Sequence, residues 1–177
     1  FKRFDAFLAI GNLNSAYYQF YGVDSEKIFL VPYAVNNDRF QITRKILPDK
    51  KTLKKNHDLD PNSITILYLA KLIDRKRPLD LLMAYEIAKE KLKNDHKMDL
   101  VFVGDGPEKA ALETYARNKD LDGVRFLGFK NQEELPEFYK LADIFVLPSS
   151  FETWGVVINE AMNFGLPIIT TNMVGAA

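Results

Sequence analysis

Two carboxylates, Glu152 and Glu160, stand eight residues apart in the run Phe151-Glu152-Thr153-Trp154-Gly155-Val156-Val157-Ile158-Asn159-Glu160-Ala161-Met162-Asn163-Phe164-Gly165-Leu166-Pro167. From Gly155 onward, Val157, Ala161 and Phe164 repeat at helical spacing. Val156 and Glu160 lie one turn apart beside that stripe. Glu160 is therefore expected at the edge of an apolar face, where a lone charge is costly and needs hydrogen-bond donors. Sugar hydroxyls are donors of that kind. Upstream, Ala70-Lys71-Leu72-Ile73-Asp74-Arg75-Lys76-Arg77-Pro78 gathers four cations between an apolar run and a helix start. Free N–H groups at a helix start, with lysine point charges beside them, suit a phosphate; a solvated basic loop is the other reading of such a cluster. Gly104-Asp105-Gly106-Pro107 follows a second apolar run. Its glycines permit tight turning and close backbone approach, and a plain strand-to-helix turn, with Asp105 as a turn residue, reads the same way.

The elements that must position these residues alternate between strand and helix. Strands are expected at Asp5–Ile10, Lys27–Tyr33, Ile64–Ala70, Asp99–Val103, Val124–Leu127, Asp143–Leu147 and Pro167–Thr170. Ile64–Ala70 is a nearly continuous apolar run, as in a strand buried on both faces. Helices are expected at Asn14–Tyr21, Thr52–Asp58, Pro78 to about Lys93, after Pro107 to about Asn118, Gln132–Leu141, and from Gly155. Pro78 suits a first turn, and Leu79, Leu82, Met83, Glu86 and Ile87 keep the 3.6-residue period behind it. Asn36–Lys50 reads mostly as loop. The βαβα order predicts an α/β fold, a doubly wound, Rossmann-like parallel sheet with helices on both faces. Ligands bind such sheets beyond the carboxyl ends of the strands. The loops after Ala70, Val103, Leu127 and Leu147 should therefore open on one edge.

Composition narrows the function classes. The 177 residues balance 24 Lys and Arg against 24 Asp and Glu, so no whole-chain field draws in nucleic acid. No apolar run is long enough to cross a membrane, and no signal-peptide pattern is present. Cysteine is absent, which excludes disulfides and cysteine-held zinc. Neither His57 nor His96 has a partner pattern for metal or nucleophilic chemistry. A dinucleotide site wants a third glycine and an acid closing the next strand; Ala110 and Leu127-Gly128-Phe129 stand there instead, which disfavours NAD. A receiver domain wants clustered acids at the end of its first strand and a phosphoacceptor Asp, and Asp143 begins its strand. Tyr17, Tyr18, Phe20 and Tyr21 read as core or interdomain packing.

The Glu-x7-Glu string with its Glu-Ala-x-x-x-Gly-x-Pro continuation (Glu160, Ala161, Gly165, Pro167) closely resembles the donor-sugar motif of nucleotide-sugar glycosyltransferases of the two-Rossmann-domain (GT-B) architecture. The nearest match is the large retaining group called glycosyltransferase group 1, or family 4. The likeness runs through nearly the whole chain. It implies that Lys71 and Lys76 grip the donor diphosphate, matching a Gly-Arg/Lys-x-x-x-x-Lys pattern in which Ala70 replaces the usual Gly. It also implies that Glu152 contacts the transferred sugar and Glu160 the ribose hydroxyls. Thr153, Gly155 and Val156, with Trp154, would form a helix entry whose N–H groups face the diphosphate. Gly104 and Gly106 would border the nucleotide pocket. Phe129 would pack beside the base, as aromatic faces stack without needing a particular base, and a purely structural role fits it as well. Trp154 fits the sugar pocket and plain packing alike.

The same resemblance implies transfer from a nucleoside-diphosphate sugar to an acceptor glycan or lipid, with retention, no cofactor and no divalent metal. It implies a cytoplasmic protein, with peripheral membrane contact of the full-length molecule as one option. Residues 1–27 would be the end of an acceptor domain or hinge, and 28–177 the donor domain, truncated at its C-terminal end. The isolated chain is then expected to bind nucleotide weakly and to turn over nothing. A non-catalytic nucleotide-binding module is the alternative.

Overall fold

The computed structural model describes residues 3–92 and 97–176. Phe1, the Lys93 end expected for the long helix, His96 and Ala177 lie outside the described residues. Two compact units divide the chain, Phe1–Val35 and Asn36–Ala177.

In the first unit, β1 (Phe7–Ala9) pairs in parallel with β2 (Ile28–Leu30), and α1 (Asn12–Phe20) connects them. Phe7 and Ala9 are buried. The aromatic face of α1 is not core: Tyr17, Phe20 and Tyr21 are exposed, and their rings meet one another, Tyr17 and Tyr21 at 4.9 Å between centroids. Nine helical residues over a two-stranded ribbon leave too little surface to cover them.

The second unit runs α2 (Asn37–Ile46), α3 (Lys50–Asn56), β3 (Ile64–Leu69), α4 (Pro78–Leu92), β4 (Met98–Val103), α5 (Lys109–Asn118), β5 (Val124–Phe126), α6 (Leu135–Leu141), β6 (Ile144–Leu147), α7 (Val156–Met162) and β7 (Ile168–Thr170). Its five strands are all parallel in the order β5-β4-β3-β6-β7. This is the doubly wound parallel α/β fold expected from the sequence. The strand order reverses between β3 and β6, so a crevice opens there beyond their carboxyl ends. Leu67, Tyr68, Leu100, Val101, Phe102, Phe145 and Leu147 are fully buried. Alternation splits them between faces. Tyr68, Leu100, Phe102 and Val146 pack with Leu81, Leu82, Tyr85 and Leu112 of α4 and α5. On the opposite face, Phe145 meets the ring of Tyr139 in α6.

Three expectations need correction. Residues 37–46 are helix rather than loop. Asn36 caps the helix by accepting from the Arg39 N–H at 2.9 Å, and Asp38, Arg44 and Lys45 complement its dipole. Only Phe40 is buried, so no apolar stripe announces this helix. In α4 the buried face is Pro78, Leu81, Leu82 and Tyr85, while Leu79, Met83 and Ile87 are exposed. Apolar residues surround much of this helix, and the Tyr85 hydroxyl selects the phase by sharing its one proton between the Met98 and Asp122 carbonyls, at 2.8 and 3.1 Å. Finally, α6 begins at Leu135 rather than Gln132, because Asn131 Oδ1 caps a preceding turn through the Glu133 and Glu134 N–H groups.

At the amino ends of β3 and β6, Asp143 gathers the ammonium groups of Lys50 and buried Lys54, each at 2.7 Å, and the Thr65 N–H at 2.9 Å. Burial alone would raise the Asp143 carboxyl; the bonds from Lys50, Lys54 and Thr65 outweigh it and hold the group below its ordinary value.

Candidate active site

The β3–α4 and β4–α5 loops interlock at the carboxyl edge of the sheet. A Cβ on Gly104 would stand 2.0 Å from the Ala70 carbonyl oxygen, and one on Gly106 would stand 2.3 Å from that of Leu72. Both glycines therefore serve backbone-to-backbone contact. The Leu72 N–H donates to Asp105 O at 3.0 Å, and the Gly104 N–H to Gly128 O at 2.8 Å, tying in the loop after β5. The Ala70 backbone is not left-handed, so an alanine fits there without conformational strain.

These three loops enclose a cavity of about 540 Å³ lined by Leu69, Ala70, Lys71, Val103, Gly104, Asp105, Phe129, Lys130, Gln132 and Leu135. Aliphatic walls, two lysines and one aromatic ring at 76% exposure make it suited to a flat ring carrying an anion. Of the residues singled out by sequence, Lys71, Gly104 and Phe129 line this cavity. Gly106 packs behind it against Leu72.

The loop after β6 joins from the other side of the switch point. Ser150 N–H and Oγ both donate to Arg75 O, at 2.9 and 3.1 Å. This brings Lys76 and Glu152 into an ion pair, both largely buried. Sequence reasoning treated these two as separate contacts to different parts of a donor; here they neutralise each other. Burial, and then the like charge of Arg75, lower the Lys76 ammonium below its ordinary value. Tyr68, buried in β3, donates to Lys71 O at 3.1 Å and so pins the basic loop from beneath.

Glu152 also bridges in parallel to Val174. Its N–H donates to Met173 O at 3.0 Å, and its carbonyl accepts from Gly175 N–H at 3.1 Å. Thr153 is exposed. Trp154 donates through Nε1 to Asn159 Oδ1 at 2.9 Å. Gly155, buried with φ of 85°, is the residue before α7; a Cβ there would meet Val174 Cγ1 at 2.8 Å. Val156 opens the helix, half-buried.

Of the stripe expected in α7, Ala161 and Phe164 are buried and Val157 is half-buried. Ile158 is buried beside Ala161, and Glu160, on the flank of that face, is itself buried at 4% exposure. The donors it needs come from within the chain. The Tyr139 hydroxyl donates to Oε2 at 2.6 Å, and Gln132 Nε2 approaches Oε1 at 3.4 Å. Burial pushes the Glu160 carboxyl above its ordinary value, against the pull of Tyr139, Gln132 and Arg39. Burial, then the charge of Glu160, push the Tyr139 phenol well above its own. Sequence reasoning missed Tyr139, Gln132 and Lys130. The signal for Tyr139 is a hydroxyl on the face that Leu135, Phe138 and Leu141 of α6 bury, where it must find a partner. Among the described residues no three His, Cys, Asp or Glu side chains are grouped as a metal site requires, and no helix is long and apolar enough to cross a membrane.

Comparison with known proteins adds to this geometry. Residues 49–177 match the family described as glycosyl transferases group 1. D-inositol 3-phosphate glycosyltransferase 2 of Catenulispora acidiphila is 30% identical over 165 residues, which is 89% of this chain and 37% of that protein. Alpha-monoglucosyldiacylglycerol synthase of Streptococcus pneumoniae is 29% identical over 79% of this chain and 31% of that protein. The crystal structure of Anabaena Alr3699/HepE in complex with UDP superposes with a TM-score of 0.80 at 20% identity, over 97% of this chain and 46% of that one. The lipopolysaccharide-biosynthesis glycosyltransferase WaaG gives 0.79 at 21% identity, over 96% and 45%. The chain thus spans about a third of the length of these sequence relatives and under half of these structures. With its family match covering most of its length, the chain belongs to the group 1 glycosyl transferases.

Proposed function

We propose that this chain is the donor-binding part of a retaining glycosyltransferase, which moves a sugar from a nucleoside-diphosphate sugar to an acceptor glycan or lipid. The observation that carries the proposal is the gathering of Lys71, Gly104, Phe129 and Gln132 round one cavity, with Glu160 beneath Gln132. In this reading Phe129 and the aliphatic walls take the base, and Glu160 takes the ribose. Lys71 and Lys76 face the diphosphate, beside the helix entry at Thr153, Gly155 and Val156. An ammonium has three donors, so Lys76 can keep Glu152 while reaching a phosphate oxygen.

Glu152, held by Lys76 and by the Val174 bridge, orients the transferred sugar rather than attacking it. Catalysis then rests on orientation and on offsetting charge at the departing diphosphate, with no cofactor or metal. Support for the donor class comes from the neighbour solved with UDP. Support for a lipid among the acceptor classes comes from the relative named as a diacylglycerol glycoside synthase. The acceptor would engage residues beyond these 177, and the enzyme would work at the cytoplasmic side, with any membrane contact peripheral. This chain alone would bind nucleotide weakly and transfer nothing.

The test is a calorimetric or NMR titration with UDP, GDP, ADP and their glucose conjugates, with Glu160→Ala alongside. Saturable binding of one nucleotide, weakened by the substitution, is expected. Binding indifferent to Glu160→Ala would refute the assignment. Transfer by an enzyme containing this chain, lost on Glu152→Ala, would separate the transferase from a binding-only module.

A further inference from the structure

The two bonds that hold Glu160 are unequal, and they approach from different sides. Tyr139 is fully buried, with ring contacts to Phe40, Phe145 and Phe164 at 6.5, 6.1 and 5.5 Å between centroids. The oxygen it engages, Oε2 at 2.6 Å, therefore faces the interior. Gln132 is exposed, lines the cavity, and reaches Oε1 only at 3.4 Å. A terminal carboxylate torsion is broad and two-fold, so an unanchored Glu160 would exchange its oxygens freely. The short bond from a caged phenol stops that exchange.

We propose that Tyr139 is a positioning residue that reserves Glu160 Oε2, so that a ligand diol meets a single carboxylate oxygen, Oε1, and that Gln132 swings off Oε1 to hold the second hydroxyl. This rests on reading the cavity as a nucleoside-diphosphate site, and it makes ribose recognition asymmetric. One hydroxyl donates to a charged, fixed acceptor. The other meets a neutral, mobile amide, which can donate or accept. Gln132 fills the hydroxyl's place in the empty site and gives up a weak bond when a ligand arrives.

The experiment titrates the chain with UDP, GDP and ADP, each also as its 2′-deoxy and 3′-deoxy form, and repeats this for Tyr139→Phe and Gln132→Ala. In the wild type, one deoxy form should bind about ten- to hundredfold more weakly and the other only a few fold, the difference between a charged and a neutral hydrogen bond. Tyr139→Phe should weaken the ribonucleotide about tenfold yet leave the more impaired deoxy form within about twofold, because the bond being positioned is already missing there. Gln132→Ala should erase the smaller of the two deoxy losses. Equal losses for the two deoxy forms overturn the inference without any variant, which also covers a Tyr139→Phe that fails to fold. A Tyr139→Phe that weakens all three forms alike marks Tyr139 as merely structural and overturns it too. Binding of no nucleoside diphosphate at all would instead remove the reading beneath it, and the inference with it.

Discussion

Replacing Gly104 by alanine should damage both stability and the cavity, and the size of the effect follows from the loop junction. The new methyl carbon would stand 2.0 Å from the Ala70 carbonyl oxygen and 2.9 Å from its carbonyl carbon. The two loops must separate by roughly 1.4 Å to restore ordinary contact. That separation breaks or stretches Ala70 N–H to Val103 O at 3.2 Å, Leu72 N–H to Asp105 O at 3.0 Å, and Gly104 N–H to Gly128 O at 2.8 Å. Each such bond contributes about 1 kcal/mol. Gly104 also holds a φ of 139°, which L side chains rarely adopt, at a cost of about 1–3 kcal/mol. Allowing for partial relaxation, the loss is about 3–5 kcal/mol. Gly128→Ala is the control: its φ is 70°, but nothing lies within 4 Å of the added carbon, so only the left-handed backbone cost of about 1–2 kcal/mol applies. Urea unfolding of the two variants measures the difference, provided the slopes match the wild type. Nucleotide titration of Gly104→Ala should show binding lost with the cavity wall. If Gly104→Ala costs no more than Gly128→Ala, close packing of the loops does not set this junction, and the reasoning fails.

Lys54→Met should cost about 2–4 kcal/mol by chemical unfolding, since it removes bonds to Ser63 O and Asp143 while Asp143 keeps Lys50. Asp143, held below its ordinary value in the folded chain, contributes stability that is present above the unfolded carboxyl range and lost as pH falls through its folded value. Asp143→Asn should therefore flatten the acid side of the stability profile while lowering stability at neutral pH. Glu160 has the opposite sign: its carboxyl is raised, so its ionisation opposes folding once pH climbs through the folded value. Glu160→Gln should raise the melting temperature at neutral pH yet weaken nucleotide binding; a fall in both would mean that the carboxylate is structural. Phe129→Ala, at a side chain 76% exposed, should leave melting unchanged and reduce nucleotide affinity by about 1–3 kcal/mol.

Much of this protein is legible in its residue order. Apolar β-branched runs punctuated by Gly, Pro and Asp mark β3, β4 and β6, because a strand covered on both faces has no polar positions to spare. Their alternation with helices implies parallel pairing, and parallel pairing implies that Lys71, Gly104, Phe129 and Glu152 all leave the sheet at one edge. The Glu152–Glu160 spacing and its glycines carried the family. Other features depend on long-range contacts that no local pattern encodes. Helix α2 is specified by its caps and charges, with a single buried residue, so periodicity is silent about it. The phase of α4 is set by where the Tyr85 hydroxyl finds carbonyls on β4 and the loop before β5. Lys76 meets Glu152 only because Ser150 ties two loops from opposite sides of the strand-order switch. Glu160 is the clearest case. Sequence places a carboxylate near an apolar stripe and demands donors for it, but a buried charge takes whatever donors the fold brings near. Only the tertiary fold decides that the donors are Tyr139 of α6, 21 residues earlier, and Gln132 of the loop after β5, 28 residues earlier.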